Sequence, residues 1–209
     1  MSDVYAELAE LGVATVFEAS GRRGLIDADL ERIVPGTRAA GPARTVHGGD
    51  ADNLMVHAVM AHAQAGEVLV LTMPAPKPVA LMGDLLATQA KALGVAAVLV
   101  DAAVRDVDEL RELGLPVWAR YIRARGPDKN VLGEIDQPVE VGGVTIRPRD
   151  VVVLDADGAV VVERERVNDV LDAARQRAEA EREKRAKLEA GALSYDLDGL
   201  RERVEGISS

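Results

Sequence analysis

Between residues 53 and 120 the chain alternates apolar helix, apolar strand, helix, strand, helix, strand, and this order constrains the fold more than any other feature. VAAVLVD (residues 95–101) is a continuous apolar run, as expected for a parallel strand covered on both faces. EVLVLTM (67–73) has the same texture, and LPVWAR (115–120) supplies a third strand. Gly66, Gly94 and Gly114 punctuate the helices that precede these strands. Connections of this length suit crossovers between parallel neighbours, so the layering is α/β.

Around this core the expected elements are simpler. SDVYAELAELG is a short helix, capped by Ser2 or Asp3 and stopped by Gly12. ATVFEAS, ending near Gly21, is a second helix, and GPARTV (41–46) is a strand. Asp52 and Asn53 precede an apolar helix, NLMVHAVMAHAQ, and the Pro-rich stretch 74–82 reads as a loop. From about residue 138 the texture changes. VEVGGVTIRP is a hairpin across Gly142-Gly143, and DVVVLDADGAVVVE is a second one turning at Asp157-Gly158. Residues 163–192 form one long charged helix with Glu/Arg pairs at i, i+4 spacing and a narrow stripe of Val167, Val170, Leu171, Ala174 and Ala178. It outruns a domain of this size, which points to a contact with a neighbouring subunit. The tail SYDLDGLRERVEG adds a short helix.

The 209 residues fit one domain, and with 48% hydrophobic but only 2% aromatic residues the core must be built from Val, Leu, Ile and Ala. No apolar run reaches the roughly 18 residues of a membrane span, and MSDVYAELAE lacks the order of a signal peptide, so the cytoplasm is the expected location. A formal charge of −10 disfavours nucleic-acid binding but not a small anionic substrate. There is no cysteine. His47, His57 and His62 are too scattered for a His-rich zinc site, so any metal would be held by carboxylates and water, which points to Mg2+ or Mn2+.

Two places carry candidate chemistry. Arg105 and Asp106 stand where a parallel strand gives way to a helix, the edge at which α/β sheets bind ligands. Arg105 offers a planar fork to a carboxylate. Asp106 either faces a metal or water, or simply caps VDELRELG. In MGDLLATQ, Gly83 permits close approach to the backbone, and the amides of Asp84, Leu85 and Leu86 form a free helix N-terminus suited to an anion. The bland alternative is an ordinary Asp cap. Twenty residues separate Asp84 from Arg105, one helix plus one strand, so the two places converge if their strands are parallel and adjacent. Asn53 either lines the pocket or caps its helix. His57 reads as a core histidine, Trp118 and Tyr121 as core packing, and RYIRARGPDK (120–129) as a solvated basic loop.

GDLLATQAKALGVAAVLVDAAVRDVDELRELGLPVWAR resembles the RraA-like family, which includes 4-hydroxy-4-methyl-2-oxoglutarate/4-carboxy-4-hydroxy-2-oxoadipate aldolases and the RraA regulators of ribonuclease E. The aldolase pattern, an Asp, 20 residues, then Arg-Asp, is met by Asp84, Arg105 and Asp106. ATVFEA, GPARTV, the RGP of 125–127 and PVEVGGVTIRPRDVVVLDADGAVVV follow in family order. The resemblance implies a swivelling β/β/α domain over residues 1–209, with mixed sheets, flanking helices and a long C-terminal helix. Its helical extension, 165–209, would contact a neighbouring subunit in a homotrimer or hexamer. It implies a metal-dependent lyase releasing pyruvate from a small 2-oxo acid through an enolate, with oxaloacetate decarboxylation at the same site. In that reading Asp106 binds the divalent metal, Arg105 holds the substrate, Asp84 hydrogen-bonds water on the metal, and the amides around Leu85 and Leu86 take the carboxylate. An acid from the partner's C-terminal region also contributes, and several between 189 and 205 compete. The alternative is a non-catalytic regulator binding ribonuclease E or a helicase. Two positions depart from the family pattern. Ala102 replaces a usual Gly after the strand's Asp, and is expected to add a methyl near the pocket and narrow substrate choice. Arg149 stands where Gly is frequent, in the RPRD turn.

Overall fold

The computed structural model describes residues 2–206, and the side chains of residues 4–206. A capping role for the side chains of Ser2 or Asp3 lies outside the described residues. The chain opens with α1 (Ser2–Ala19), β1 (Glu31–Arg32), β2 (Ala39–His47), α2 (Leu54–Val59) and β3 (Val68–Thr72). β4 (Ala80–Met82), α3 (Asp84–Ala92), β5 (Ala97–Val104), α4 (Val107–Leu113) and β6 (Val117–Ile122) follow. Next come β7 (Glu134–Ile135), β8 (Val139–Val141), β9 (Val144–Ile146), β10 (Val151–Asp155) and β11 (Gly158–Val162). The helices α5 (Val167–Glu189), α6 (Ser194–Leu197) and α7 (Leu200–Glu205) close the described chain.

One mixed sheet organises these elements, in the order β1-β6-β5-β3-β2-β10-β11. Its centre, β2-β3-β5-β6, is parallel; β1, β10, β11 and the short β7 are antiparallel to their neighbours. The parallel strands β3 and β5 are buried at every position, which explains their unbroken apolar sequence. One face packs Val98, Val100, Ala102 and Val104 of β5 against α2, α3 and α4. The other takes Ala97 and Leu99 into a layer with Trp118, Val152, Leu154 and the β8–β9 hairpin. Trp118 is fully buried and donates its indole N–H to the Asp155 carbonyl at 2.8 Å, as a buried indole requires.

The mixed α/β layering and the long C-terminal helix agree with the sequence expectations, and several boundaries do not. Residues 80–82 are a buried strand rather than loop, because the apolar triplet Ala80-Leu81-Met82 pairs in parallel with the end of β5. β5 itself continues to Val104 instead of ending at Asp101. Asp101 tolerates its buried mid-strand position because it pairs with Arg120; burial is the larger effect on its carboxyl and pushes its pKa up. The helix at 53–64 is reduced to the single stretch Leu54–Val59. The β10–β11 turn is centred on Ala156-Asp157, one residue earlier than expected. The tail forms two short helices, broken at Gly199, whose φ of 64° suits glycine.

Gly12 (φ 82°) does interrupt the first helix. A side chain there would meet Asp155 Oδ2 at 2.7 Å, the oxygen that accepts the Val13 amide at 2.9 Å to cap the second segment. α5 buries Val170, Leu171 and Ala174 and is largely exposed beyond them. No helix of the described residues is long and apolar enough to cross a membrane.

Arg149 adopts φ 73°, the left-handed region, while its amide donates to Ala43 O at 2.9 Å. An L-residue costs about 1–2 kcal/mol there, partly offset by the greater freedom of glycine in the unfolded chain. Arg149→Gly is therefore expected to stabilise the protein by about 1 kcal/mol. Urea unfolding checks this: the midpoint should rise with an unchanged slope.

Candidate active site

β4 and β5 are parallel neighbours, and the chain leaves both at the same edge of the sheet. Gly83 and α3 follow β4; Arg105, Asp106 and α4 follow β5. The Arg105 amide donates to Met82 O at 3.1 Å, which sets the two exits side by side. A cavity of about 180 Å³ opens there, lined by Asn53, Gly83, Asp84, Leu85, Leu86, Arg105 and Asp106 together with His57, Gly126, Pro127 and Lys129. The two places nominated in the sequence, Gly83–Leu86 and Arg105–Asp106, thus share one cavity with Asn53.

Asp106 is not a side-chain cap of its own helix. It sits at φ 58°, ψ 46° with no capping hydrogen bond to α4. Asp is among the few residues that enter this region readily, and such conformations cluster at functional sites. The conformation turns its carboxylate across to α3, where Oδ2 accepts the Asp84 amide at 3.2 Å. The same oxygen lies 3.5 Å from Arg105 Nε, so Asp106 and its neighbouring arginine share a contact. Gly83 makes this possible: a Cβ there would lie 2.2 Å from Asp106 Oδ2 and 3.1 Å from Arg105 Cγ. Gly126 plays a related part, since its Cβ would stand 3.0 Å from Arg105 Nη1.

Asp84 is the first residue of α3, with Gly83 in the cap position and no side-chain cap, so the carboxylate of Asp84 is not used to end the helix. The helix geometry leaves the amides of Leu85 and Leu86 without intrahelical acceptors. Leu86 is buried, whereas Leu85 is 80% exposed beside the cavity. Asn53 also fails to cap its helix. Asp52 takes the local amides instead, accepting from Leu54 at 2.8 Å and from Asn130 and Val131 at 2.6 and 3.1 Å. Asn53 Nδ2 is thereby free to donate to Leu81 O at 3.0 Å, and its buried Oδ1 has no partner among the described residues. A buried unpaired acceptor is costly, so this oxygen calls for a hydrogen from a bound molecule.

The sequence reading missed the far wall. His57 is exposed at the cavity rather than buried in the core, one helical turn from Asn53 on the same face of α2. Lys129 belongs to the supposed solvated loop. Backbone hydrogen bonds Asn53 N to Asp128 O and Asp128 N to Ala51 O, both 2.9 Å, hold that loop against the start of α2. The i, i+4 spacing of Asn53 and His57 was the available signal. Partial burial, and then the Lys129 charge, lower the His57 pKa below the usual histidine value. Removing the cation favours the protonated ring, so Lys129→Ala should move the His57 titration, followed by NMR, partway back up. Ala102 does not line the cavity: it is fully buried in the core between β5 and the helices, because β5 runs two residues past it. Its methyl is a packing group, and the expected narrowing of substrate choice has no basis in this position.

Comparisons with known proteins bear on the family and the fold. The RraA-like family model, described as Aldolase/RraA, matches residues 6–161. A Halalkalibacterium halodurans protein, provisionally named a 4-hydroxy-4-methyl-2-oxoglutarate aldolase, is 37% identical over 168 residues, covering 80% of this chain and 78% of that protein. Among solved structures, an uncharacterised Pseudomonas syringae protein superposes with TM-score 0.84 at 25% identity, over 92% of this chain and 91% of that one. Streptomyces coelicolor RraAS2, described as an unusual member of the RNase ES inhibitor RraA protein family, gives TM-score 0.78 at 29% identity, over 88% and 96%. With a family model spanning most of its length and a relative of this identity and coverage, the chain belongs to the RraA-like family.

Proposed function

We propose that this protein is a divalent-metal-dependent carbon–carbon lyase. It releases pyruvate from acids of the 4-hydroxy-4-methyl-2-oxoglutarate type and decarboxylates oxaloacetate in the cavity between Asn53, Gly83–Leu86 and Arg105–Asp106. What carries the proposal is the Asp106 carboxylate, held in a left-handed conformation over Gly83, beside a guanidinium, at the exit of two adjacent parallel strands. The name of the Halalkalibacterium relative supports the same reaction class.

The donor set fits Mg2+ or Mn2+. No three His, Asp or Glu side chains converge among the described residues, but such ions keep most of their water and need only one or two protein carboxylates. Asp106 would hold the ion, its Oδ1 accepting no hydrogen bond from the described residues, with Asp84 and Asn53 Oδ1 placed to receive hydrogens from the surrounding water. Bound there, the ion would supply Lewis-acid polarisation of the 2-oxo group. The free amides of Leu85 and Leu86 receive the substrate carboxylate. Arg105 faces the negative charge that gathers on the pyruvate portion as the bond breaks. In aldol cleavage the 4-hydroxyl gives up its proton to water held by the Asp84 carboxylate, the C4–O bond becomes a carbonyl, and the C3–C4 electron pair passes to the pyruvate enolate. In oxaloacetate the pair is left behind by departing CO2, and in both cases C3 then takes a proton. Residues 165–209 are proposed to pack on a neighbouring subunit of a homotrimer or hexamer; the exposure of α5 beyond Ala174 supports this.

A second reading, a non-catalytic regulator that binds ribonuclease E or a helicase, draws support from the likeness to RraAS2. Pyruvate release separates the two. With 4-hydroxy-4-methyl-2-oxoglutarate and with oxaloacetate, rates above the metal-only background are expected with Mg2+ or Mn2+ and should vanish with EDTA. No release from folded protein under these conditions would sink both substrate assignments.

A further inference from the structure

A second cleft, of about 290 Å³, lies among the end of α1, the β8–β9 hairpin, the end of β11 and the start of α5, and shares no residue with the candidate active site. Arg23, Arg147 and Arg166 line it, with Thr145 and the backbone of Gly24 and Gly143. The fold assembles these arginines deliberately. Ser20 is 3% exposed; its hydroxyl accepts the Arg23 amide at 2.9 Å and its carbonyl accepts Arg166 Nη2 at 2.9 Å. Gly24 is pressed on β11, where a Cβ would fall 2.0 Å from Val161 O, and the Val161 amide donates to Gly24 O at 2.8 Å. Asp27 N donates to Gly142 O at 3.0 Å and fixes the hairpin to the same segment.

The charges in this cleft are unbalanced locally. Among the described residues none of the three guanidiniums forms a salt bridge, whereas other arginines of the chain, including Arg44, Arg120, Arg175 and Arg201, do. Asp150 is 2% exposed, and both its oxygens are committed to the amides of Arg147 at 2.9 Å and Arg164 at 3.2 Å. Glu163 is the other acid of the lining, and it is exposed. Three guanidiniums and two carboxylates, Asp150 and Glu163, line the cleft, so in a chain of net charge −10 it keeps a local excess of positive charge that an anion would offset. Guanidinium forks match the oxygens of phosphate and carboxylate groups.

We propose that this cleft binds a multiply charged small oxyanion, a phosphate ester or a polycarboxylate, at a site separate from the lyase cavity. Calorimetric titration at low ionic strength with inorganic pyrophosphate and with citrate tests it. Saturable binding is expected, weakened roughly ten- to hundredfold in Arg23→Ala and in Arg147→Ala. It should persist in Arg177→Ala, which removes an equal charge from the exposed α5 pair with Glu181. Thermal melts of all three variants confirm folding. The probe that binds more tightly identifies the ligand chemistry, phosphate or carboxylate. Absence of saturable binding by either probe would overturn the site, as would equal weakening in Arg177→Ala, which would reduce the effect to net charge. An Asp106→Asn protein should bind these anions like wild type, so loss of lyase activity leaves this test intact.

Discussion

Replacing Asp106 by Asn is expected to lower metal-supported pyruvate release about 10²–10³-fold while leaving the fold intact. Asn shares the tolerance of Asp for φ near 60°, and its amide oxygen can still accept the Asp84 N–H, so the loop keeps its shape. What disappears is the negative charge that would hold a divalent ion and that lies beside Arg105. Asp106→Ala should lose the same activity and also about 1 kcal/mol of stability, because alanine is strained at this position. Comparing the two by steady-state kinetics and urea unfolding separates chemistry from conformation. An Asp106→Asn protein with wild-type turnover would remove Asp106 from the proposed mechanism.

Gly83→Ala should have an effect of similar size for a different reason. Gly83 has φ −135° and ψ −163°, which alanine adopts freely, so no backbone strain is involved. The added methyl would instead lie 2.2 Å from Asp106 Oδ2 and 3.2 Å from Arg105 Nε. Both side chains must move away, the Asp84 amide loses its acceptor, and the cavity loses its charged floor. Activity is expected to fall about as far as in Asp106→Asn, with about 1–3 kcal/mol lost from stability by overpacking. Kinetics and thermal unfolding of the purified variant measure both. Full activity in Gly83→Ala would mean that the carboxylate does not need its seat on Gly83.

Much of this protein was legible in its linear sequence. Continuous apolar runs, glycine stops and the Gly142-Gly143 turn determined the α/β core and its hairpins, because buried parallel strands and positive-φ turns admit few residue types. The spacing of Asp84 and Arg105-Asp106, one helix plus one strand, allowed the two to converge if their strands were parallel and adjacent. Only the tertiary structure decided the rest. β4 is too short to register as a strand until β5 is there to pair with it. His57 was placed in the core because an apolar helix gives no sign of which face meets an open cavity, and Lys129 was lost in a basic loop whose position depends on backbone bonds to α2. Ala102 stands near the motif in sequence, yet the extra turn of pleat in β5 buries it. The sequence by itself determined which chemical groups this chain possesses and how they are spaced along it. The packing of those strands decided which groups share a cavity, since burial and facing are properties of neighbours that local sequence does not contain.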